Sequence, residues 1–422
     1  MDKLLFTGLS VAFPLYIFFN KLIKLRKEER EKYVKSHVGH NKEVLKFVLT
    51  GGPCAGKTSA LERLQGFLRE RGFRVFIVPE AATMGWLNGV YFEDLASAAC
   101  RKAFQQFVIS TQIQLEDSFE RFAKATGEKS VILCDRGTMD GSAYMDKRDF
   151  LQLLTELGLD EVIARDTRYN AVFHLVTAAN GAEQFYTANQ KTRNETPQEA
   201  IEQDVRTQAA WQGHPHHYII DNKSSVSFDM KLQALVSKIS KCVGLPSLYK
   251  DKSHKYSLKG LPNFNIITNV QQFLIEKVML TCDGGIESCG DRKLIYRFLR
   301  KRTQGTMDAY GLTSVYQQTN GEQVELKQII NKSIYLALKQ TKSDNTRIQI
   351  KQRRSYFLWE NQSMCITEYL EPLSEYGKIF LKCQCEGEPV LPQWIQVEEK
   401  IAGELLRSTS SRILSLTNRA NN

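Results

Sequence analysis

The chain has 422 residues, too many for one ordinary hydrophobic core, and its 42% hydrophobic and 25% charged residues are typical of a globular protein, so two domains are predicted. Nine cysteines without a CxxC pair argue against a disulfide framework and indicate a reducing compartment. The formal net charge is +10, but residues 47–244 hold 22 Lys and Arg against 24 Asp and Glu, so the basic excess lies outside that region.

The N-terminus carries a mostly apolar run from Leu4 to Phe19, which could extend to Ile23. A block of lysines and arginines follows over residues 21–35, so the positive-inside bias places the rest of the chain in the cytoplasm. Residues 1–24 are predicted as a membrane anchor and 25–43 as a charged linker, which makes the protein membrane-associated and cytoplasm-facing. An interfacial helix and an import signal are the alternatives.

A glycine-rich loop with a phosphate-binding signature follows the apolar run 44–50. Two glycines five residues apart precede Lys and Thr, and Ser59 opens a helical pattern. Backbone N–H groups of such a loop point at phosphate, the lysine meets the β- and γ-phosphates, and the threonine hydroxyl ligates Mg²⁺. The sequence predicts an ATP or GTP site with Mg²⁺, formed by Gly51, Gly52, Pro53, Cys54, Ala55, Gly56, Lys57, Thr58 and Ser59.

Four more short apolar runs alternate with helical patterns after this loop. They are predicted as strands 73–78, 130–134, 171–177 and 217–220. The connections are long enough for crossover helices, which indicates a doubly wound, mostly parallel sheet. Residues 44–245 are therefore predicted to form an α/β P-loop NTPase or kinase-like domain.

Charged residues at the ends of these strands are the catalytic candidates. Asp135 ends a strand beside the loop, where it could hold Mg²⁺ with Thr58, and helix capping is its alternative role. Glu80 ends the strand 73–78 and could act as a base, or it could be a solvated loop residue. Arg193 lies in a loop-rich region typical of a mobile lid, with Arg206 behind it. The predicted catalytic set is Glu80, Asp135, Arg136 and Arg193.

A lysine-rich polar stretch, 246–260, is predicted as the boundary to a second domain over 255–417. Alternating patterns there predict a mostly antiparallel β-barrel or sandwich with a helix at Asn331–Lys342 and another at Ala402–Leu416. The predicted strands are Arg292–Arg302, Glu322–Ile330, Arg347–Arg354, Ser363–Leu370, Gly377–Cys385 and Pro392–Ile401.

The order of these motifs resembles the NadR-type AAA-like P-loop domain, and in particular the TRPL translocation defect protein family, in which a CYTH-like domain follows. The resemblance covers roughly residues 44–405. It implies a fold related to small-molecule kinases, together with GTP binding and phospholipid binding. The motifs that carry it are Gly51–Thr58, Val78–Ala81, Asp135–Gly137, the segment Arg193–Asp204 and Trp211–Asn222.

CYTH-like barrels hold Mg²⁺ with the carboxylates of an ExExK strand, and this chain departs from that pattern. Phe273, Ile275 and Lys277 occupy the matching alternate positions, so the lysine is present and both carboxylates are missing. An electropositive cavity without a metal cage suits binding a phosphorylated anion better than hydrolysing one. A solvated basic face is the alternative. The predicted anion- or lipid-binding residues are Lys277, Arg300, Arg302, Lys327, Lys351 and Arg353.

Two functions fit these patterns. The first is a GTP- or ATP-dependent regulatory protein with phospholipid or phosphorylated-ligand binding in its CYTH-like domain, acting in membrane protein trafficking. The second is a small-molecule, nucleoside-like kinase with Glu80 as its base, which would need an enclosed acceptor pocket beside Glu80. A membrane is a predicted partner under the first hypothesis, and nucleic acid is a partner under neither.

Overall fold

A computed structural model describes residues 44–186, 195–222, 227–245, 253–267, 270–281, 293–317, 323–360, 362–384 and 388–401. In this part of the chain two separate sheets form, and each organises its own hydrophobic core. We call residues 44–245 the parallel unit and residues 253–401 the antiparallel unit. The candidate anchor 1–24, the linker 25–43, Arg193 and the predicted helix Ala402–Leu416 lie outside the described residues.

The parallel unit confirms the predicted α/β architecture. Its five strands pair in parallel in the order β2-β3-β1-β4-β5. The strands are β1 (Val44–Thr50), β2 (Arg74–Val78), β3 (Ser130–Asp135), β4 (Ala171–Leu175) and β5 (His217–Ile220). Among its described residues the parallel unit has the α-helices α1 (Lys57–Arg69), α2 (Ala81–Leu87), α3 (Ala98–Thr126), α4 (Lys147–Glu156), α5 (Pro197–Ala210) and α6 (Phe228–Cys242).

Helices cover both faces of this sheet, which is why its strands read as continuous apolar runs. Along β1, Phe47 and Leu49 pack into one core with α1 and α6, whereas Val48 faces the other core, which includes Ile109 of α3. Side chains alternate between the faces of a strand, so neither face of β1 tolerates exposure. The strand that leads into the phosphate loop is therefore packed against an apolar core on each side.

Local signals fix the two helices that border the site. Helix α3 begins after Ser97, whose hydroxyl accepts a hydrogen bond from the Cys100 N–H at 3.1 Å, and ends at Gly127 with φ of 64°. Helix α5 begins with a capping box in which Thr196 and Glu199 exchange hydrogen bonds.

The antiparallel unit forms one nine-stranded sheet in the order β10-β9-β8-β7-β11-β12-β13-β6-β14, with helix α7 (Lys332–Lys342) beside it. No described pairing joins β10 to β14, so the observation extends to an antiparallel sheet and not to a closed barrel. The strands are β6 (Ser253–Leu258), β7 (Gln271–Leu280), β8 (Lys293–Gln304), β9 (Met307–Gln317), β10 (Gln323–Ile330), β11 (Ile350–Trp359), β12 (Gln362–Glu371), β13 (Ile379–Gln384) and β14 (Val397–Ile401).

Two of these strands correct the sequence-based assignment. Strand β6 lies inside the stretch 246–260, which was predicted as the domain boundary and not as a strand, because its polar residues are supported by pairing with β13 and β14 rather than by an apolar run. Strand β9 was not predicted at all. It pairs with β8 and β10, and residues 311–316 within it are buried.

The two units meet through buried polar contacts. Arg302 of β8 contacts Asp166 of the parallel unit at 2.8 Å and donates to the Gly213 carbonyl. Gln212 donates to the Tyr356 carbonyl at 3.1 Å. Arg302 is 3% and Asp166 4% exposed, so this ion pair is removed from solvent.

No helix in the described ranges combines the length and the apolar character needed to cross a bilayer.

Candidate functional site

The phosphate loop lies between β1 and α1, and its backbone conformation requires glycine at two positions. Gly51 has φ of 142° and Gly56 has φ of 85°, both in a region that side chains rarely adopt. A Cβ on Gly51 would lie 2.0 Å from the Leu175 carbonyl oxygen, so β4 leaves no room for one. Helix α1 begins at Lys57, two residues before the predicted start, and points its N-terminus at the loop.

Lys57 is held over the loop by two carbonyl groups. Its Nζ donates to the oxygens of Gly51 and Gly52, each at 3.1 Å. Burial, assisted by the nearby Arg136, lowers the pKa of Lys57 to about 8, although Asp135 and Glu80 partly offset this. An anion next to Lys57 would therefore be bound more strongly, because this lysine is poorly solvated.

Side chains from three other segments brace the same loop. Arg136 donates to the Gly51 carbonyl at 3.0 Å, Thr177 to the Pro53 carbonyl at 2.5 Å and Lys231 of α6 to the Ala55 carbonyl at 3.2 Å. Sequence analysis did not single out Thr177 or Lys231, since neither lies near the loop in sequence. The loop is thus preorganised by tertiary contacts.

Asp135 ends β3 next to the loop, as its position in the sequence predicts. Its Oδ1 is buried and has no hydrogen-bond partner among the described residues. Burial and the neighbouring Glu80 raise the pKa of this carboxyl, whereas Lys57 opposes the shift. The following 3₁₀ turn is capped by Asp140, which accepts from the Gly137 N–H at 2.7 Å, so capping is not the role of Asp135. A buried carboxylate oxygen lacking a partner fits a cation, and Thr58 lies in the same cavity.

Glu80 and Arg136 form an ion pair beside the loop. The Arg136 Nε lies 3.0 Å from Glu80 Oε1, and the Thr83 hydroxyl donates to Glu80 Oε2 at 2.7 Å. Burial disfavours ionisation of Glu80, but the charges of Arg136 and Lys57 outweigh it and lower the pKa of this carboxyl. Glu80 is therefore ionised and held by an ion pair and a hydrogen bond, and it is not a solvated loop residue.

One cavity of about 1620 Å³ connects the phosphate loop with a second lobe lined by aromatic residues. In that lobe Trp86 of α2 stacks on Phe92 at 4.7 Å between ring centroids and contacts Phe104 of α3 at 4.5 Å. Glu80 and Tyr144 also line this cavity. This lobe could not be predicted from the sequence, because aromatic residues at helical spacing normally indicate core packing. Arg206 of α5 also lines the cavity.

Comparison with known proteins agrees with this geometry. Residues 46–227 match the model of a family described as "AAA domain". This chain carries a P-loop NTPase-like domain. Such a domain implies a nucleoside triphosphate as ligand, usually with Mg²⁺. The antiparallel unit lies outside the matched residues.

Other comparisons add no further assignment. No curated protein matches the chain. Among solved structures, a thymidylate kinase from Ehrlichia chaffeensis is similar at 14% identity and a TM-score of 0.32, covering 46% of this chain and 98% of that one.

The antiparallel unit gathers positive charges on one face of its sheet. Lys277 of β7 pairs with Arg300 of β8, and Ile275 pairs with Arg302, so these four share that face. Burial lowers the pKa of Lys277 well below its ordinary value, and Arg354 and Arg300 lower it further. Burial and Arg302 likewise lower the pKa of Arg300 to about 10. Phe273 and Ile275 are buried. They stand at the two positions where an ExExK strand carries its carboxylates, so neither position holds a carboxylate in this chain.

The register corrects the predicted cation set at two positions. In β11, Gln352 lies opposite Ile275, so Arg354 shares the face of Lys277 while Lys351 and Arg353 lie on the other face. Lys351 instead pairs with Glu371 at 3.8 Å and Arg353 with Glu368 at 2.8 Å. The described cations of the common face, which we call the basic face, include Lys277, Arg300, Arg302, Lys327, Arg354 and Lys382.

Proposed function

We propose that the protein transfers the γ-phosphoryl group of a nucleoside triphosphate to a hydroxyl group of a small acceptor. The supporting observation is the single cavity that is lined by the phosphate loop, by the aromatic lobe and by Glu80. A nucleotide switch that only hydrolyses its ligand needs no second lobe beside Glu80, whereas a phosphotransferase does.

The chemistry assigns a distinct task to each side chain. Lys57 and the loop N–H groups bind the phosphates, and the acceptor hydroxyl lies near Glu80. The acceptor oxygen forms a bond to the γ-phosphorus, the bond from that phosphorus to the β,γ-bridging oxygen breaks, and the nucleoside diphosphate leaves with the electron pair. The hydroxyl proton passes to Glu80. Because its lowered pKa makes Glu80 a weak base, it mainly orients the hydroxyl, which a loose transition state tolerates.

Thr58 and Asp135 would hold Mg²⁺ in this site. When bound, the cation supplies charge neutralisation on the phosphate oxygens. The buried Asp135 Oδ1 without a partner among the described residues supports this assignment.

Two measurements test the proposal. Equilibrium titrations with ATP and GTP in parallel establish binding and base preference. The protein is then incubated with γ-labelled nucleotide and the small-molecule fraction of a cell extract. We expect label in an organic phosphate, and we expect Glu80→Gln to reduce this product while leaving nucleotide affinity unchanged. Label only in inorganic phosphate, at a rate that the extract does not alter, would contradict phosphotransfer and favour a hydrolytic switch.

A second candidate function concerns the antiparallel unit and rests on the basic face. Lys277, Arg300 and Arg354 repel one another there, so a phosphorylated anion would stabilise their folded arrangement. This favours the CYTH-like regulatory hypothesis, in which a membrane-associated protein binds a phospholipid headgroup or a soluble phosphate. Vesicles containing a phosphoinositide and soluble inorganic tripolyphosphate separate these two sources. Binding of neither would argue for a purely structural basic face.

A further inference from the structure

Helix α5 places a carboxylate against the phosphate loop. Asp204 is buried, and its Oδ1 accepts a hydrogen bond from the Gly52 N–H at 2.5 Å. The same oxygen lies 3.1 Å from Nε2 of His174 at the end of β4. A Cβ on Gly52 would lie 2.8 Å from the Asp204 Cβ, so this close approach depends on the glycine.

This contact holds one peptide group of the loop from both sides. In a trans peptide the carbonyl of Gly51 and the N–H of Gly52 point in opposite directions. The Gly51 oxygen accepts from Arg136 at 3.0 Å and from Lys57 at 3.1 Å, while the Gly52 N–H donates to Asp204. Rotation of the peptide plane would therefore break hydrogen bonds on both sides at once.

Asp204 carries a negative charge next to the loop that would bind phosphate. Burial opposes ionisation of Asp204, but His174 and the Gly52 N–H outweigh it and lower the pKa, so the carboxyl is ionised at neutral pH. A negative charge beside a phosphate site repels the ligand. Simple electrostatics therefore predicts that Asp204 weakens nucleotide binding, and any benefit must come from geometry.

We propose that Asp204 is a positioning residue for nucleotide binding, which fixes the Gly51–Gly52 peptide so that the rest of the loop presents its N–H groups to the phosphates. The inference rests on the nucleotide site of the proposed function. It does not require phosphotransfer, since positioning acts at the binding step. Its energetic basis is preorganisation: a loop held before binding loses less conformational freedom when the ligand arrives.

Two substitutions separate geometry from charge. Asp204→Ala removes the acceptor, and we expect roughly tenfold weaker nucleotide binding, the effect of losing one buried hydrogen bond. Asp204→Asn removes the charge but keeps a side-chain oxygen for the Gly52 N–H. We expect it to bind at least as tightly as the parent protein. Glu202→Gln, on the exposed face of the same helix, is the matched control.

The measurement is nucleotide affinity by calorimetric titration, at a temperature well below the melting transition of each variant. A purely structural role predicts lower melting temperatures for both variants with unchanged affinity in the folded protein. Tighter binding by Asp204→Ala would mean that charge repulsion dominates, and either result would overturn the proposal. If Asp204→Ala does not fold, weaker binding by Asp204→Asn than by the parent contradicts it independently. Absence of binding by the parent protein would instead refute the nucleotide site itself.

Discussion

The surroundings of the phosphate loop shift the pKa values of its neighbouring carboxyl groups in opposite directions. Lys57, Arg136, Glu80 and Asp135 lie within one cavity lining, yet Glu80 has a lowered pKa and Asp135 a raised one. The ion pair with Arg136 accounts for the difference, because Asp135 has no hydrogen-bonded cation of its own among the described residues. Under the proposed mechanism, these surroundings suit Glu80 to an acceptor hydroxyl and Asp135 to a metal ion.

Substitution of Lys57 tests the loop directly. Lys57→Ala removes the point charge for the β- and γ-phosphates, and we expect nucleotide affinity to fall by roughly 10- to 100-fold, the range for a hydrogen bond to a charged group. Isothermal titration calorimetry measures this, with the exposed Lys129→Ala as control. Undiminished binding by Lys57→Ala would remove the basis of the nucleotide assignment.

Asp135→Asn should leave Mg²⁺-free binding intact and reduce the gain in affinity on adding Mg²⁺.

Nucleotide affinity should depend on pH because Lys57 has a pKa of about 8. Below that value the ammonium is charged and binding is constant. As pH rises through about 8, the free protein must take up a proton to bind phosphate, so affinity falls by up to about tenfold per pH unit. Lys231, with a pKa lowered to about 8 by burial, titrates in the same range and adds to the effect.

Replacement by arginine identifies the group responsible for the pH dependence. Lys57→Arg keeps its charge at all these pH values, so any binding it retains should show a flatter profile, whereas Lys231→Arg should flatten it less. A profile that is level from pH 7 to 9.5 in the parent protein would contradict the role of a poorly solvated Lys57.

The register of strand β11 determines which of its cations lie on the basic face. Adjacent residues of a strand face opposite sides of the sheet, and Arg353 and Arg354 illustrate this within one strand. Arg353 pairs with Glu368 and is half-exposed, whereas Arg354 lies on the basic face and donates to Gln352 at 3.0 Å. The two arginines are thus a natural matched pair.

This pair tests the basic face. Inorganic tripolyphosphate should raise the melting temperature of the full chain by mass action on the folded state. We expect Arg354→Ala to reduce that shift, because it removes one cation from the basic face, and Arg353→Ala to leave it unchanged. Differential scanning fluorimetry with and without 1 M salt as a screening control measures both variants. Equal losses in the two variants would indicate a diffuse surface effect instead of a site.

At the scale of the whole molecule, the interface between the units is held by buried charge. Asp166 contacts Arg302 of the other unit and also Arg165, whose Nε lies 2.8 Å from Asp166 Oδ1. Burial disfavours the Asp166 carboxylate, but both arginines outweigh it and lower its pKa. Helix α5 carries the loop contact at Asp204, and the turn that follows the helix carries Gln212 and Gly213 at this interface, so one continuous segment contacts both the phosphate loop and the second unit.

Removal of Arg302 should loosen this interface. Arg302→Ala leaves Asp166 buried with one cation fewer, and we expect a loss of about 3 kcal/mol in unfolding free energy, as for other broken buried pairs. Scanning calorimetry should then resolve two transitions where the parent shows more cooperative unfolding. Lys301→Ala, the neighbouring residue with a partly exposed ion pair to Asp308, should change stability by less than about 1 kcal/mol. Equal effects of the two substitutions would contradict a dominant role for Arg302.

Features that depend on neighbouring residues could be predicted from the amino-acid sequence. The parallel strands were predicted within a few residues of their observed ends, since burial on both faces makes each one a continuous apolar run. The phosphate loop was equally readable, because its glycines, Lys57 and Thr58 act within eight consecutive residues. The positions of Glu80 and Asp135 followed from the rule that parallel strands end at one edge of the sheet.

The remaining features depend on contacts between segments that are far apart in the sequence, so they became known only with the fold. Asp204 reaches Gly52 across 152 positions of sequence, and no local pattern encodes that approach. Arg354, and not the predicted Arg353, lies on the basic face because of the strand register, which is set by pairing with β7. The polar strand β6 is likewise stabilised by its partners β13 and β14, not by its own composition. A strand with a period of two changes face on a shift of one residue, so side-chain direction in the antiparallel unit could be known only once its neighbours were in place.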